Sequence, residues 1–361
     1  MQLKILSLPG DGIGPEVTAE AEKVLECVAT RFGHHLELTR GHIGGAALKA
    51  EGTPLSAATK RAASAADAVL LGAVGMPEYD RNAPAERPEK GLLDLRKELA
   101  VYANLRPVKA YPSLVGASPL KADRIEGTDL LIVRELTGGL YFGTPRGIDG
   151  KHAFNTMAYT ADEIERVARI AFELARSRRG KVTSVDKANV LETSQLWRQV
   201  VTEVARDYPG VELEHLLVDN AAMQLVLAPR RFDVLLTENM FGDILSDEAA
   251  VLAGSIGVLA SASVGARRED GKLPGLYEPI HGSAPAIADK GVANPIGAVG
   301  SVALMLEWSF GLRDEARAID AAVSRWLDDG PLTADLGGTA STSQAGDALC
   351  AWIRTAHRTP S

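Results

Sequence analysis

Short apolar runs alternate along this chain with longer segments in which apolar side chains recur every three or four residues. The runs have the length and β-branched content of buried strands, and the longer segments have the period of amphipathic helices. The alternation favours an α/β fold with a largely parallel central sheet. We predict strands at 3–8, 67–75, 181–187, 211–218 and 232–238, and helices at 15–33, 161–180, 194–207, 220–228, 241–253 and 294–311.

Residues with special backbone preferences mark several of the predicted helix ends. Pro15 suits the first turn of its helix, because the amide hydrogen that proline lacks has no helical partner there. Gly33 and Gly180 suit C-terminal ends, where the chain often enters the left-handed region. The last of the predicted helices is expected to open at Asn294 and Pro295.

The composition limits the classes of protein to consider. The 361 residues leave room for two domains, and a net charge of −8 disfavours nucleic acid or an anionic membrane as the main partner. The first apolar run stops at Pro9 and no run approaches about 18 residues, so neither a signal peptide nor a membrane span is expected. Cys27 and Cys350 lack a metal-ligand spacing, which predicts reduced thiols and a cytoplasmic location.

A glycine-rich loop, LPGDGIGPEV, follows the first strand and opens the first helix. It does not match the dinucleotide fingerprint G-x-G-x-x-G, because Pro15 and Val17 occupy the two positions where the third glycine could stand. No Gly-Lys-Ser/Thr follows, so it is not a P-loop either. The loop is therefore either a structural turn or a turn whose helix amides meet an anionic ligand.

Charged side chains follow several of the predicted strands. Lys187 comes directly after one strand, Asp219 after the next, and Asp243 and Asp247 lie one helical turn apart after a third. In an α/β fold such strand ends are where ligands bind. Three carboxylates match the oxygen ligands that Mg²⁺ or Mn²⁺ prefers, and a lysine beside a metal could act as a base. The alternatives are solvated side chains and, for Asp219, a helix cap.

Three arginines stand in distinctive surroundings. Arg96 lies in GLLDLRKEL, Arg106 in NLRPVK, and Arg134 closes a run of buried-strand character, where a charge needs a partner. The planar guanidinium suits carboxylates, so the three together suggest a ligand with more than one carboxylate. Each could instead be an ordinary surface or ion-paired residue. His281 lies in a loop of small residues that would let a flat ligand approach the backbone, although a lone loop histidine is more often structural.

Taken in order, these segments resemble one family, the metal-dependent β-decarboxylating dehydrogenases that act on isocitrate and isopropylmalate. The resemblance covers nearly the whole chain and rests on LPGDGIGPEV, EKGLLDLRK, NLRPVK, RELTGGLYFG, SVDKANVLE, VDNAAMQL, ENMFGDILSDEA and GLYEPIHGSAP. It implies a two-domain α/β fold distinct from the Rossmann fold, with a central mixed sheet flanked by helices. A discontinuous cofactor-binding domain, 1–101 with 256–361, and a domain for substrate, metal and dimer contacts, 102–255, are implied.

The resemblance also implies a role for individual residues of the site. Arg96, Arg106 and Arg134 match the arginines that hold the malate carboxylates, and Tyr141 and Lys187 match the catalytic acid and base. The metal ligands are Asp219, Asp243 and Asp247, and Asp219 also contacts substrate. The apolar wall for the substrate's side chain is formed by Leu92, Leu93 and Val190. In the family the lysine and the first aspartate enter from the partner subunit, so a homodimer with shared active sites is implied.

The implied cofactor is NAD, beside Mg²⁺ or Mn²⁺. The positions that match its contacts are Ile13, Gly75, Glu89, Asn189, His281, Gly282, Ser283, Ala284, Ala286, Ile287 and Asn294. One of them departs from the family pattern, because Ala286 stands where an aspartate usually accepts hydrogen bonds from the adenosine ribose. NADP-using relatives have a basic residue there, and this chain does not. We expect NAD to bind with reduced affinity, unless Asp289 compensates.

The implied reaction is the oxidative decarboxylation of (2R,3S)-3-isopropylmalate to 4-methyl-2-oxopentanoate and CO2 in leucine biosynthesis. Other malate derivatives are the alternatives, although the Leu92-Leu93 pair favours a branched apolar substituent. A phosphatase of the haloacid type would need Asp-x-Asp after the first strand, whereas Asp11 is followed by Gly12 and Ile13. A binding protein without activity is a third alternative, which the presence of the chemical side chains disfavours.

Overall fold

The computed structural model describes residues 1–268 and 273–355 and has an α/β fold, as predicted. The chain divides into two compact units. The first unit consists of Met1–Val101 and Ser255–Ser361, and the second unit of Tyr102–Gly254. Within the described ranges, no helix is long and apolar enough to cross a membrane.

The strands of the described residues are short, and most are buried. They are β1 (Gln2–Gly10), β2 (His35–Arg40), β3 (Ala68–Ala73), β4 (Ala103–Lys109), β5 (Asp129–Glu135), β6 (Gly147–Asp149), β7 (His152–Phe154), β8 (Lys181–Asp186), β9 (Glu212–Leu217), β10 (Val234–Thr237), β11 (Ala260–Val264) and β12 (Gly275–Pro279).

The helices range from one turn to five. They are α1 (Gly14–Phe32), α2 (Gly44–Glu51), α3 (Ala57–Ala65), α4 (Pro88–Glu98), α5 (Ala122–Ile125), α6 (Ala161–Arg176), α7 (Glu192–Ala205), α8 (Val218–Leu227), α9 (Asn239–Ala250), α10 (Ile296–Trp308), α11 (Arg313–Asp329) and α12 (Thr342–Thr355).

The first unit contains five neighbouring strands in the order β2-β1-β3-β12-β11. All of these pairs are parallel except β11 with β12, which is antiparallel. Helix α1 packs against α10 and α12. Gly33 has a φ of 77° at the end of α1, as the sequence predicted, because glycine has no Cβ to clash in the left-handed region.

The second unit contains five neighbouring strands in the order β4-β5-β10-β8-β9. Here β4 and β5 are antiparallel, and the other pairs are parallel. The carboxyl ends of β5, β10 and β8 therefore meet at one edge, where Thr237 is in register with both Arg134 and Val185. A hydrophobic core that includes Phe232, Leu235 and Leu245 supports this edge.

The antiparallel pairs make the sheet mixed, and the parallel majority agrees with the sequence pattern. Several predicted boundaries differ from the structure by two or three residues, and one helix end differs by four. Helix α6 ends at Arg176 and not at Gly180, because Ser177 caps it and the chain turns before it reaches the glycine. Gly180 instead has a φ of 75° within that turn. Both cysteines are free and buried.

Candidate active site

Two arginines converge on the two aspartates of α9. The Arg134 Nη1 donates a hydrogen bond of 2.5 Å to the Asp243 Oδ1. The Arg106 Nη1 lies 3.4 Å from the Asp247 Oδ1, and its Nη2 lies 3.9 Å from the Asp243 Oδ1. The Tyr141 hydroxyl donates to the Asp243 Oδ2 over 2.9 Å. We call these five residues the arginine–aspartate cluster.

The cluster is built so that its cations are enclosed and its carboxylates are open. Only 7% of the Arg134 side chain and 12% of the Arg106 side chain are exposed, whereas 71% of the Asp247 side chain is exposed. Asp243 and Asp247 lie one turn apart in α9, and like charges at that spacing repel unless cations offset them. The two guanidinium groups supply that offset from within the same unit.

Tyr141 lies in a short turn after β5, with 43% of its surface exposed. Partial burial raises the pKa of its phenol, and the hydrogen bond to the Asp243 carboxylate raises it further. The guanidinium of Arg134 lies 5.8 Å from the centre of the ring. Tyr141 therefore keeps its proton at neutral pH, which is the state required of a proton donor.

Lys187 and Asp219 form a separate ion pair. Lys187 follows β8, its Nζ donates to the Asp219 Oδ1 over 2.5 Å, and 29% of its side chain is exposed. The hydrogen bond from Lys187 lowers the pKa of the Asp219 carboxyl. Asp219 lies in the first turn of α8 and makes no side-chain cap, since Leu217 is the capping residue.

The three candidate metal ligands do not form one cluster within a single chain. Among residues 1–268 and 273–355, no three His, Cys, Asp or Glu side chains stand close enough to hold a metal ion together. Asp243 and Asp247 are neighbours in α9, whereas Asp219, on α8, pairs with Lys187. One chain therefore offers two of the three carboxylates at one place.

Arg96, the third arginine, belongs to the first unit. Its Nη2 donates to the Glu278 Oε1 over 2.8 Å, and its buried Nε finds no hydrogen-bond partner among the described residues. Leu92 and Leu93 lie on the same helix, α4, where Leu93 is 43% exposed. Val190, the other residue of the predicted apolar wall, is exposed in the second unit.

Most of the candidate cofactor residues come together in the first unit. The Ile13 amide donates to the Ser283 carbonyl over 2.8 Å, so the turn before α1 lies against the loop after β12. A Cβ on Gly12 would stand 1.9 Å from the same carbonyl oxygen, which only glycine avoids. A Cβ on Gly75 would lie 3.3 Å from the Ser283 Oγ and 3.7 Å from a Glu89 carboxylate oxygen.

The loop after β12 includes a residue in the left-handed region of the backbone, and several of its residues are exposed. Ala284 has a φ of 39°, whereas Gly282, Ala286 and Ile287 are exposed. The buried Nε2 of His281 has no hydrogen-bond partner among the described residues, and burial lowers the pKa of this imidazole. A buried polar atom without a partner is costly unless a ligand pairs with it.

Two cofactor candidates remain: Asn294 lies at the end of this loop, next to α10, and Asn189 lies in the second unit. The Asn294 Oδ1 accepts from the Ile296 amide at the start of α10, whose capping residue is Pro295. Its Nδ2 donates to the Asp335 Oδ2. Asn189 is exposed in the turn after β8, in the second unit.

Sequence reasoning missed four residues that support these groups. Asp11 is buried and accepts hydrogen bonds from three backbone amides, those of Gly45, Ala46 and Gly75. The other three are Glu278, which pairs with Arg96, Ser246, which accepts from the Arg106 Nη1, and Asn239, which accepts from Arg134. All four lie inside the motifs on which the family resemblance rests, and their place in those motifs was the available signal.

Glu238 is a buried acid beside this site, and it makes stability depend on pH. Burial raises the pKa of its carboxyl to about 7, the charge of Asp186 adds to the rise, and the Ser194 hydroxyl, 2.5 Å away, opposes it. Because the folded state holds this proton more tightly than the unfolded chain, the group's effect is stabilising at low pH and is lost as pH rises towards 7.

Glu238→Gln is therefore expected to flatten the pH dependence of stability. The free energy of unfolding of the variant, compared with that of the unchanged protein at the same pH, should rise by up to about 3 kcal/mol between pH 5 and pH 8. Urea denaturation at both pH values measures this difference. Glu126→Gln, an exposed position in the same unit, is the matched control. A Glu238→Gln variant whose stability runs parallel to the unchanged protein at both pH values would contradict the assignment.

The chain is similar in sequence to known proteins of one family. A sequence model of the isocitrate/isopropylmalate dehydrogenase family matches residues 4–349. The chain is 56% identical to the 3-isopropylmalate dehydrogenase of Anaeromyxobacter dehalogenans, over 97% of this chain and 99% of that one. It is 59% identical to the 3-isopropylmalate dehydrogenase of Geobacillus kaustophilus, over 92% and 90% of the two chains.

A solved structure extends the comparison to the fold. The crystal structure of isocitrate dehydrogenase from Methylococcus capsulatus has a TM-score of 0.85 and 36% identity, over 98% of this chain and 100% of that one. The fold is that of an α/β dehydrogenase. The chain belongs to the isocitrate/isopropylmalate dehydrogenase family.

Proposed function

We propose that this protein catalyses the oxidative decarboxylation of (2R,3S)-3-isopropylmalate to 4-methyl-2-oxopentanoate and CO2, with reduction of NAD, in leucine biosynthesis. The observation that carries the proposal is the arginine–aspartate cluster in a chain 59% identical to a relative named 3-isopropylmalate dehydrogenase. We further assign the cofactor to the first unit and the substrate and metal to the second. The two buried free cysteines support a cytoplasmic location.

The donor set of the cluster fits a hard divalent cation. Asp243 and Asp247 present carboxylate oxygens from one helix face, and the exposed oxygens of Asp247 remain open to a ligand. Asp219 would complete the set from a second copy of the chain, because it stands apart within one chain. Mg²⁺ or Mn²⁺ held there would supply Lewis-acid polarisation of the substrate's oxygens.

The chain's own residues account for binding and proton movement. Arg106 and Arg134 would hold the substrate's carboxylates and fix its orientation. Lys187 would accept the proton of the 2-hydroxyl. An ammonium group cannot accept a proton, so this role requires the neutral amine of Lys187. Tyr141, whose raised pKa keeps its phenol protonated, would deliver a proton to C3 after CO2 leaves.

The surface of the second unit supports a homodimer with shared sites. Helices α8 and α9 pack together and expose the large apolar side chains Met223, Leu227 and Ile244, each half-exposed or more. Clustered apolar side chains on a surface mark an interaction site, since water disfavours them. Asp219 lies on α8, and the other two aspartates lie on α9. A second copy packed on these helices would thus bring the carboxylates of two chains towards each other.

The proposed reaction is tested by the appearance of NADH at 340 nm with 3-isopropylmalate and Mg²⁺, with and without EDTA. We expect turnover that EDTA abolishes. Parallel assays with malate, tartrate, isocitrate and homoisocitrate measure the substrate preference, and the exposed Leu93 beside Leu92 favours the isopropyl group. Turnover of isocitrate alone would show that isocitrate is the substrate, and the proposed mechanism would still apply. No turnover of any of these acids would overturn the proposal.

The loop after β12 fits a dinucleotide. His281 presents a buried nitrogen without a partner, and the exposed small residues leave the backbone approachable. NAD bound there would supply the hydride acceptor. Ala286, however, offers no side-chain acceptor, and its carbonyl accepts a hydrogen bond of 2.7 Å from the Lys290 Nζ. Burial raises the pKa of Glu16, in the first turn of α1, and the charge of Asp289 adds to the rise.

Ala286→Asp is expected to lower the KM for NAD by about ten- to a hundredfold, the value of one charge-assisted hydrogen bond. The variant should also raise the preference for NAD over NADP, because an added carboxylate repels the 2′-phosphate. Steady-state kinetics with both dinucleotides measures this. Ala286→Asn, which adds a neutral acceptor of the same size, is the matched control and should give a smaller gain. An unchanged KM for NAD in Ala286→Asp would contradict the role given to position 286.

A further inference from the structure

Asn239, the first residue of α9, is buried and forms hydrogen bonds through four polar groups. Its carbonyl accepts from the Arg134 Nε at 2.8 Å, and its Oδ1 accepts from the Arg134 Nη2 at 2.9 Å. Its amide N–H donates to the Tyr159 hydroxyl, and its Nδ2 donates to the Gly138 carbonyl at 3.2 Å. It thus joins a substrate-binding candidate to the turn that precedes Tyr141.

The contacts to Arg134 fix the plane of the guanidinium group. One edge of the group donates two hydrogen bonds to Asn239, and the Nη1 donates one to Asp243, so the group has no freedom to rotate. Gly242 lets the arginine stem lie against α9, because a Cβ there would stand 2.6 Å from the Arg134 Cγ. Arginine binds carboxylates best when its planar fork is already oriented, since less freedom is lost on binding.

The contact to Gly138 anchors the turn that carries Tyr141. The Gly138 amide donates to the buried Glu135 carboxylate at 2.7 Å, and its carbonyl accepts from Asn239. The backbone N–H and the carbonyl of Gly138 are therefore each hydrogen-bonded to a different side chain. The turn Gly139–Tyr141 follows directly, so the position of the phenol depends on this anchor.

We infer that Asn239 is a positioning residue of the reaction, one that orients Arg134 for the substrate carboxylate and holds the Tyr141 turn. The inference rests on the proposed function. Asparagine suits both tasks because its amide carries an acceptor and a donor on one short side chain. Aspartate has the same shape and keeps the acceptor for Arg134, but it would set a second oxygen against the Gly138 carbonyl.

The first test is a pair of double-mutant cycles on the kinetics with 3-isopropylmalate. Asn239→Ala is expected to raise the KM for this substrate and to lower kcat, each by about tenfold or more. The KM effect should shrink to less than about threefold in an Arg134→Lys background, and the kcat effect likewise in a Tyr141→Phe background, because coupled residues are not additive. A merely structural loss would persist unchanged in both backgrounds and would overturn the inference.

Two further variants keep the test decisive. Phe232→Leu loosens the core at the opposite end of β10, so it is expected to lower Tm and leave the KM unchanged. Asn239→Asp, which replaces the Ala variant if that one does not fold, is expected to lower kcat by about tenfold, and this loss should vanish in the Tyr141→Phe background. An Asn239→Asp variant with unchanged kcat would also overturn the inference. If the unchanged protein turns over none of the malates, the proposed function fails instead.

Discussion

Lys187→Met is expected to lower kcat by about 10²- to 10⁴-fold, the usual contribution of a positioned acid or base. The substitution removes the amine of Lys187 while retaining an unbranched side chain of similar length. It should fold, because the Asp219 carboxylate that loses its partner is 64% exposed and remains solvated. Steady-state kinetics with 3-isopropylmalate, across a range of pH, measures the loss.

The matched control for this prediction is Lys181→Met. Lys181 begins the same strand, β8, and pairs with Glu212 and Glu214 at the edge opposite to Lys187. This variant should keep kcat within about twofold, since surface ion pairs contribute about 1 kcal/mol or less to stability and nothing to the chemistry. A Lys187→Met variant with kcat equal to that of the control would remove Lys187 from the mechanism.

Mixing two inactive variants is expected to restore about a quarter of the original activity. Tyr141→Phe removes the proton donor from one side of a shared site, and Lys187→Met removes the base from the other. Random exchange gives hybrid dimers in half of the molecules, and one of the two sites in each hybrid is intact, which gives the quarter. The assay is NADH formation after the variants are unfolded and refolded together.

The control for complementation uses two variants of the same side of the site. Lys187→Met mixed with Asp219→Asn should stay inactive, because each hybrid site still lacks one of the two partners that pair across 2.5 Å in a single chain. Activity restored by this mixture, or none restored by the first, would show that the sites are not shared in the proposed way. The apolar surface of α8 and α9 would then need another partner.

The sequence located about half of the described strands and helices, including those that carry Lys187, Asp219, Asp243 and Asp247 or lead to them. The alternation of apolar runs and amphipathic segments identified strands and helices to within a few residues, because side-chain periodicity follows directly from backbone geometry. The pattern that puts Asp243 and Asp247 on one helix face is also local, as is the position of Lys187 directly after a strand. The wrong end at Gly180 arose because a capping serine competed with the glycine signal.

The partners of the charged residues required the tertiary structure. The sequence indicated that Arg134, at the end of a buried strand, needs a partner, and the structure supplied Asp243 and Asn239, more than a hundred positions further along the chain. Arg96 meets Glu278 across a still longer separation. No local pattern encodes such pairs, since strand order and helix packing bring them together.

By itself the sequence determined the α/β class, the positions of about half of the described strands and helices and, through its motifs, the candidate side chains for the chemistry. Only the tertiary structure decided which strands are antiparallel, that Asn239 and Gly242 fix the guanidinium of Arg134, and that one chain gathers two of the three candidate metal ligands. The physical reason is the range of the interactions. Periodicity and capping act within one or two turns of backbone, whereas burial and ion pairing join residues wherever packing places them.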